Sequence, residues 1–319
     1  MVVHKHLPLP TMDIFHSIAT FKNSKKPVLT LGMFDGVHIG HQGIIKNLNQ
    51  IAGEIGGEST LLTFEPHPRV VLGKEVDDLQ LLTTLEEKIE LLENAGLKNL
   101  IIHPFTKDFS RLDATEFVSK KLCNEIGIHT LVVGYDHHFG KNRSGNFQQL
   151  QTLSERLGFH LIQVEEVKND GLHISSTQIR NALWAGNPKF AKKGLGRHYS
   201  LSGKVVHGDK LGRTLGFPTA NLELPLYKLI PKDGVYFVKV YLKNQSYKGL
   251  LSIGTRPTVT KSDEKRAEVF ILDFDQEIYG ETLKLDLIEF IRDDQKFDSL
   301  AGLIAQMNQD KLFAESYSI

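Results

Sequence analysis

The sequence is short of three things, and each shortage excludes a class of protein. Of 319 residues only one, Cys123, is cysteine. No intrachain disulfide framework can form, and a reducing cytoplasm is the expected compartment. The setting KKLCNEIG reads as a helix interior, so a buried inert thiol is expected there rather than a nucleophile. Net charge is also missing, because 38 lysines and arginines meet 38 aspartates and glutamates. Such a chain offers nucleic acid no broad basic face, although it can still bind a single nucleotide. Long apolar runs are the third shortage. None approaches the ~18 residues of a membrane span, and the opening MVVHKHLPLP has no apolar signal core. Neither an internal repeat nor a low-complexity tract is present. The expectation is a two-domain cytoplasmic protein that handles small molecules and binds neither membrane nor nucleic acid.

Two patterns divide the chain. Residues 1–185 alternate short apolar runs (28–32, 59–64, 98–103, 129–134, 159–165) with helical periodicity (41–54, 84–95, 113–126, 147–157). That alternation predicts a parallel sheet with helices on both faces. Residues 186–197, GNPKFAKKGLGR, are rich in glycine and lysine and read as a linker. Residues 198–319 are dominated by strands at 201–207, 234–242, 247–253, 267–273 and 283–290. Leu283, Leu285 and Leu287 alternate with Lys284 and Asp286, the period of a half-buried strand. A helix over 298–309 closes the chain, so a small antiparallel β-barrel with a C-terminal helix is expected.

Four segments of the first half carry groups suited to phosphate chemistry. In LTLGMFDGVHIGHQGIIKNL a strand runs into Gly32, and a helix begins near His41. His38 and His41 are three residues apart and can face one side. Gly36 and Gly40 leave the backbone bare, and a helix N-terminus adds N–H groups with partial positive charge. This suits a triphosphate attacked at its α-phosphorus. The same spacing also occurs in ordinary loops and in metal sites, but no third ligand stands nearby at metal spacing. In TFEPHPR, Pro66 and Pro68 hold His67 and Arg69, or simply make a rigid loop. VVGYDHHFGKNRSGN mixes Asp136 with aromatic and basic groups that can clamp a ring system; it also reads as a solvated loop. ISSTQIRNAL sets Ser175, Ser176 and Thr177 at a helix start with Arg180 one turn inside, which suits phosphates or is merely a capped helix.

The second half has one dominant motif, GDKLGRTLGFPTANL, residues 208–222. It is not a Walker A loop, because no GK[ST] follows its glycines. Gly208, Gly212 and Gly216 let a loop close over phosphates, and Pro218 stiffens the turn. Thr219 and Asn221 each offer an oxygen, the ligand type magnesium prefers. Glu268 begins the apolar run EVFILDF, where an edge-strand glutamate is the plainer reading.

On these motifs, from about residue 14 to residue 310, the chain resembles the nucleotidylyl-transferase superfamily. Within it, the chain is similar to the flavin-adenylylating branch found in bacterial bifunctional riboflavin kinase/FAD synthetases. The resemblance implies a Rossmann-like nucleotidylyltransferase domain followed by a β-barrel riboflavin kinase domain. It implies that riboflavin is phosphorylated to FMN with ATP, and that FMN is adenylylated to FAD with release of pyrophosphate. By resemblance His38 and His41 stabilise the α-phosphate, and Gly32, Phe34, Asp35, Gly36 and Gly40 cradle ATP. Ser176, Thr177 and Arg180 bind its triphosphate, while His67, Arg69 and Asp136 lie on the flavin side. In the kinase, Thr219 and Asn221 hold Mg²⁺ with ATP, and Glu268 is the catalytic base. Gly208, Lys210, Gly212, Gly216, Pro218, Arg256 and Arg292 frame its nucleotide and flavin. The rival readings are a cytidylyltransferase of another substrate, a chain with one active module, and a non-catalytic flavin carrier.

Overall fold

The computed structural model describes residues 11–22, 24–73, 79–134, 146–164, 174–208, 212, 215–256 and 264–318. By contacts the chain divides into two compact units. One runs to Leu79 and resumes over Leu85–Ile174; the other joins Gln80–Thr84 to Ser175–Ile319.

The first unit is built on a six-stranded parallel sheet. Its strands are β1 (Asp13–Phe15), β2 (Pro27–Leu31), β3 (Glu58–Glu65), β4 (Asn99–Pro104), β5 (Thr130–Gly134) and β6 (His160–Val164), in the order β1-β4-β3-β2-β5-β6. Its helices include α1 (Ile39–Ile55), α2 (Pro68–Leu72), α3 (Leu85–Asn94), α4 (Ala114–Glu116) and α5 (Phe147–Leu157). The expected strands and helices are present with ends moved by one or two residues. The helix expected over 113–126 changes pitch, because α4 runs on into a π-type stretch at Phe117–Ile126. Two apolar layers cover the sheet. One gathers Leu29, Leu62, Ile101, Leu131 and the π-helical Val118 and Leu122; the other gathers Val28, Leu61, Leu100, Val132 and Ile45 and Leu48 of α1. Neighbouring residues of each strand therefore bury into opposite layers, as a sheet covered on both faces requires. The chain steps outward from β2 through β3 to β4, then returns to place β5 on the other side of β2. Strand order reverses at β2, and the carboxyl end of such a strand is where open α/β sheets bind ligands.

The second unit is a closed antiparallel barrel, in the order β10-β11-β8-β7-β12-β9. Its strands are β7 (Tyr199–Val206), β8 (Thr219–Glu223), β9 (Gly234–Leu242), β10 (Gln245–Arg256), β11 (Glu264–Ile271) and β12 (Thr282–Arg292). Leu283, Leu285 and Leu287 are fully buried, as their alternation requires. Three helices among the described residues belong to this unit: α6 (Ser176–Trp184), α7 (Pro188–Leu195) and α8 (Leu300–Ser316). The segment read as a linker is thus mostly helix. Asn187 caps α7 by accepting the Phe190 N–H at 3.0 Å, and Pro188 occupies its first turn. Ala191 and Leu195 are buried, and α7 packs on β7 and β12. β8 has no counterpart among the strands read from the sequence. It is a strand because β7 and β11 supply its hydrogen bonds.

Candidate active sites

In the first unit the loop after β2 builds a stack of three rings. Val37 donates its N–H to the Phe34 carbonyl at 3.1 Å, and Phe34 and Val37 both sit at positive φ, 47° and 38°. Side-chain-bearing residues rarely take that conformation, and it concentrates at functional sites. The Phe34 ring lies on His41 with centroids 4.5 Å apart, and His41 lies on His38 at 3.6 Å with planes 21° apart. A glycine closes each end of the stack. A Cβ on Gly32 would meet the Phe34 ring at 3.3 Å, and one on Gly40 would meet the His38 ring at 3.1 Å. Gly40 therefore makes room for an imidazole as well as for a ligand.

His38 is the N-cap of α1, and its Nδ1 accepts the His41 N–H at 3.4 Å. The helix thus begins at Ile39, earlier than the sequence indicated, and one of its amide donors is already taken. An accepting Nδ1 puts the proton of neutral His38 on Nε2, which makes Nε2 a donor. His41 differs. Its Nδ1 is buried without a hydrogen-bond partner among the described residues. Burial first, then the neighbouring His38 and Lys88, hold its pKa well below the ordinary 6.5. At neutral pH His41 is an uncharged imidazole.

Two further groups line the same strand ends. His67 caps α2 through Nδ1, which accepts the Arg69 N–H at 3.2 Å, so the two residues are locally coupled. Half-buried Phe64, Phe105 and Phe109 pack against one another with ring centroids 5.4 to 5.8 Å apart. They form an aromatic surface at the ends of β3 and β4 that the sequence reading did not single out. Asp136 lies outside the described residues. Lys88 of α3 was also missed. It is only 5% exposed; burial lowers its pKa against the opposing charges of Asp35 and Glu65, and its own charge lowers the pKa of His41.

α6 belongs to the second unit. Ser175 is its N-cap, accepting the Gln178 N–H at 3.3 Å, while Gln178 Oε1 accepts the Ser175 N–H at 3.1 Å. This reciprocal box uses the Ser175 hydroxyl and leaves Ser176 and Thr177 as the first helical residues. Arg180 Nε donates to the Gln80 carbonyl at 3.0 Å, and Trp184 Nε1 donates to Gln80 Oε1 at 3.1 Å.

The barrel presents a second constellation. Thr219 and Asn221 are alternate residues of β8 and share a face. Glu268 pairs with Asn221 across the β8–β11 ladder, and Thr219 Oγ1 donates to Glu268 Oε2 at 3.2 Å. Gly208 lies so close to Asn221 that a Cβ would fall 2.1 Å from its amide nitrogen. A Cβ on Gly212 would fall 2.4 Å from the Phe217 carbonyl and 3.3 Å from the Thr219 hydroxyl. Gly216 sits at φ 83°, and Pro218 follows on the rim. Gly208 and Gly212 thus lie against the oxygen-bearing residues. Beside them opens a cleft of about 440 Å³ whose lining joins Val205, Val269, Ile271, Phe274 and Tyr279 to Thr219 and to the polar run Asp275, Gln276 and Glu277. Tyr279 also stacks on His207 at 4.0 Å. Among the described residues no cluster of three or more histidine, cysteine or acidic side chains is placed to hold a metal.

Arg292 is engaged elsewhere. Its Nε and Nη2 donate to both oxygens of buried Asp310 at 2.8 to 3.1 Å, tying β12 to α8. Lys210 and the side chain of Arg256 lie outside the described residues.

Comparison with known proteins agrees with both halves. The FAD synthetase family model matches residues 20–178, and the riboflavin kinase model matches residues 195–318. A bifunctional riboflavin kinase/FMN adenylyltransferase of Listeria monocytogenes is 38% identical over 95% of this chain and 96% of its own length. The Bacillus subtilis enzyme of the same name is 36% identical over 97% and 98%, and that of Escherichia coli strain K12 is 37% identical over 91% and 92%. A solved Streptococcus pneumoniae structure, titled a macrolide-efflux protein, superposes with a TM-score of 0.87 at 33% identity, covering 96% of this chain and 99% of that one. No helix among the described residues is long and apolar enough to cross a membrane. Two matching family models in sequence order, and relatives matched along nearly their whole length, place this chain in the bifunctional riboflavin kinase/FMN adenylyltransferase family.

Proposed function

We propose that the stacked His38–His41 pair is the adenylyl-transfer centre and that Glu268 with Thr219 and Asn221 is the phosphoryl-transfer centre. As a member of its family the chain is an enzyme that makes FMN from riboflavin and FAD from FMN, using ATP each time. The observation that carries the first assignment is the 3.6 Å stack of two imidazoles at the strand where sheet order reverses. Attack by an FMN phosphate on the α-phosphorus of ATP builds negative charge on the α-phosphate oxygens. In this reading His38 Nε2 donates a hydrogen bond to that charge, and no covalent enzyme intermediate is needed. Ser176, Thr177 and Arg180 are assigned to the triphosphate on the strength of the family resemblance, as are His67, Arg69 and Asp136 to the flavin side. The aromatic surface of Phe64, Phe105 and Phe109 supports that placement of an isoalloxazine ring. The adenylyltransferase module is taken to span residues 1–185 and the kinase module residues 198–319.

In the barrel, Glu268 accepts the proton of the ribityl hydroxyl as that oxygen attacks the γ-phosphorus of ATP, whose bond to the β–γ bridging oxygen breaks to release ADP. Thr219 holds the carboxylate in position by its hydrogen bond. Thr219 and Asn221 each offer a hard oxygen on one face of β8, a pair that fits Mg²⁺ carried with ATP. The bound ion would neutralise phosphate charge. The cleft that Thr219 lines, with its apolar side of Val205, Val269, Ile271, Phe274 and Tyr279, is the proposed seat of an aromatic base. A cytoplasmic location suits a single free thiol, Cys123, whose pKa is raised by burial.

The deciding experiment incubates the purified protein with riboflavin, ATP and magnesium and follows flavins by chromatography. FMN appearing before FAD supports both assignments. FMN alone would remove the adenylyl-transfer assignment, and untouched riboflavin with untouched ATP would favour a flavin carrier.

A further inference from the structure

We propose that Gln80–Thr84 is a strap that positions Arg180 for the triphosphate of ATP in adenylyl transfer, acting on helix α6 through both acceptors of Gln80. The inference rests on the assignment of Arg180 made above. Residues 80–84 lie in sequence between two stretches of the first unit, yet by contacts they belong to the second. Hydrogen bonds explain this. Leu81 donates its N–H to the Tyr227 carbonyl at 2.6 Å, and its own carbonyl accepts the Leu229 N–H at 2.8 Å, so the strap pairs in parallel beside Lys228. Lys228 is buried; its Nζ donates to the Leu82 carbonyl at 2.9 Å and stands 4.7 Å from the centre of the Tyr199 ring. Tyr199 in turn donates its hydroxyl to the Leu229 carbonyl at 2.6 Å. Tyr227, which receives the strap, sits at φ 63°, a conformation that residues with large side chains rarely take. Leu82 and Thr83 are buried as well. A segment fastened through main chain, side chain and burial gives whatever rests on it a fixed reference.

Helix α6 rests on it. The Gln80 carbonyl accepts the Arg180 Nε–H at 3.0 Å, and Gln80 Oε1 accepts the Trp184 Nε1–H at 3.1 Å. Arg180 and Trp184 are four residues apart and lie one above the other on a helix face, so one strap residue grips two successive turns. Trp184 is 43% exposed, so the bond to Gln80, rather than burial, fixes its ring. The bond to Arg180 acts on the guanidinium itself. That group is planar, and holding Nε at a main-chain carbonyl sets the direction in which its terminal nitrogens point. The strap therefore orders the arginine before ATP arrives, and preorganisation of this kind strengthens binding. Ser176 and Thr177 occupy the first turn of the same helix, so the grip fixes their place too.

The test uses the full-length protein carrying Gln80→Leu, Trp184→Phe or both, with FMN adenylylation and riboflavin phosphorylation measured separately. KM for ATP in adenylylation should rise about threefold to tenfold in either single variant, the fold-change of one net hydrogen bond. The kcat should change little, because Arg180 serves bound ATP and the transition state alike. The double variant should be no worse than the single ones, since both remove the same bond. Inhibition by pyrophosphate should weaken by the same factor. Inhibition by AMP, which lacks the β- and γ-phosphates, should not weaken, and riboflavin phosphorylation should be unchanged. If Gln80→Leu does not fold, Trp184→Phe carries the same readings, because it deletes one N–H from a partly exposed ring. A wild-type KM in the folded variants would overturn the proposal. So would additive losses in the double variant, or AMP inhibition weakened as far as that by pyrophosphate, which would report a general distortion. Arg180→Gln separates the two levels. If that variant keeps the wild-type KM for ATP, the assignment of Arg180 falls. If its KM rises while the Gln80 and Trp184 variants are normal, only the role of the strap falls.

Discussion

At the residue scale, the motif GMFDGVHIGH is explained by ring packing as much as by ligand binding. Phe34, His41 and His38 form one stack, and Gly32 and Gly40 are the only shapes that fit against its ends without displacing a ring. Gly40→Ala tests this directly. Its φ is not in the left-handed region, so the backbone tolerates alanine, but the new methyl meets the His38 ring at 3.1 Å. Adenylylation should drop by about tenfold or more, with little change in melting temperature, because a small displacement of a catalytic group is costly to rate. Measuring kcat alongside thermal unfolding checks it; unchanged kcat would mean the ring shifts harmlessly. Glu268→Ala belongs to the same scale. It should abolish FMN formation from riboflavin and leave FAD formation from supplied FMN intact, read by chromatography of each half-reaction. His38→Ala should do the reverse.

At the element scale, the contributions of sequence pattern and of tertiary structure separate cleanly. Helices α1, α3 and α5 and the five longer strands of the sheet were legible because periodicity and glycine stops are local signals. β8 was not, since Thr219–Glu223 is a strand only when β7 and β11 flank it. α7 was hidden by Gly194 and by its lysines, although Asn187-Pro188 is a sound helix start. Lys88 was hidden too. TLEEKIELLENAG shows an amphipathic helix, and nothing in it says that one lysine turns inward. The role of Arg292 was equally illegible, because Asp310 lies 18 residues away on α8. That pair is 15% and 5% exposed, so Asp310→Ala leaves a buried guanidinium unopposed. The expected cost is about 3–5 kcal/mol, read as a lowered midpoint in urea unfolding and as earlier proteolysis within 300–316. A loss below ~1 kcal/mol would show that water replaces the carboxylate.

At the scale of the whole molecule, two kinds of independence follow. The first concerns pH. A base whose pKa is depressed by folding takes up a proton more readily when unfolded. His41 is such a base, so its unit loses stability as pH falls below the ordinary histidine value of 6.5, and the barrel does not share that term. Unfolding followed by probes in each unit should show the first unit's midpoint falling between about pH 6.5 and 5, and the fall should shrink in His41→Gln. Parallel acid sensitivity in that variant would assign the effect to other groups. The second concerns chemistry. Each centre is assembled within elements that do not need the other centre's reacting groups. Glu268 is placed by Thr219, and the histidine pair by Phe34 and two glycines. A mixture of Glu268→Ala and His38→Ala proteins, each unable to complete the sequence alone, should therefore convert riboflavin to FAD. FMN made by one variant leaves it and is adenylylated by the other, with a lag that shortens as protein concentration rises. If the mixture stops at FMN although the Glu268→Ala protein adenylylates supplied FMN, then FMN does not leave the kinase centre freely. The two activities would then be coupled through product release and not merely joined in one chain.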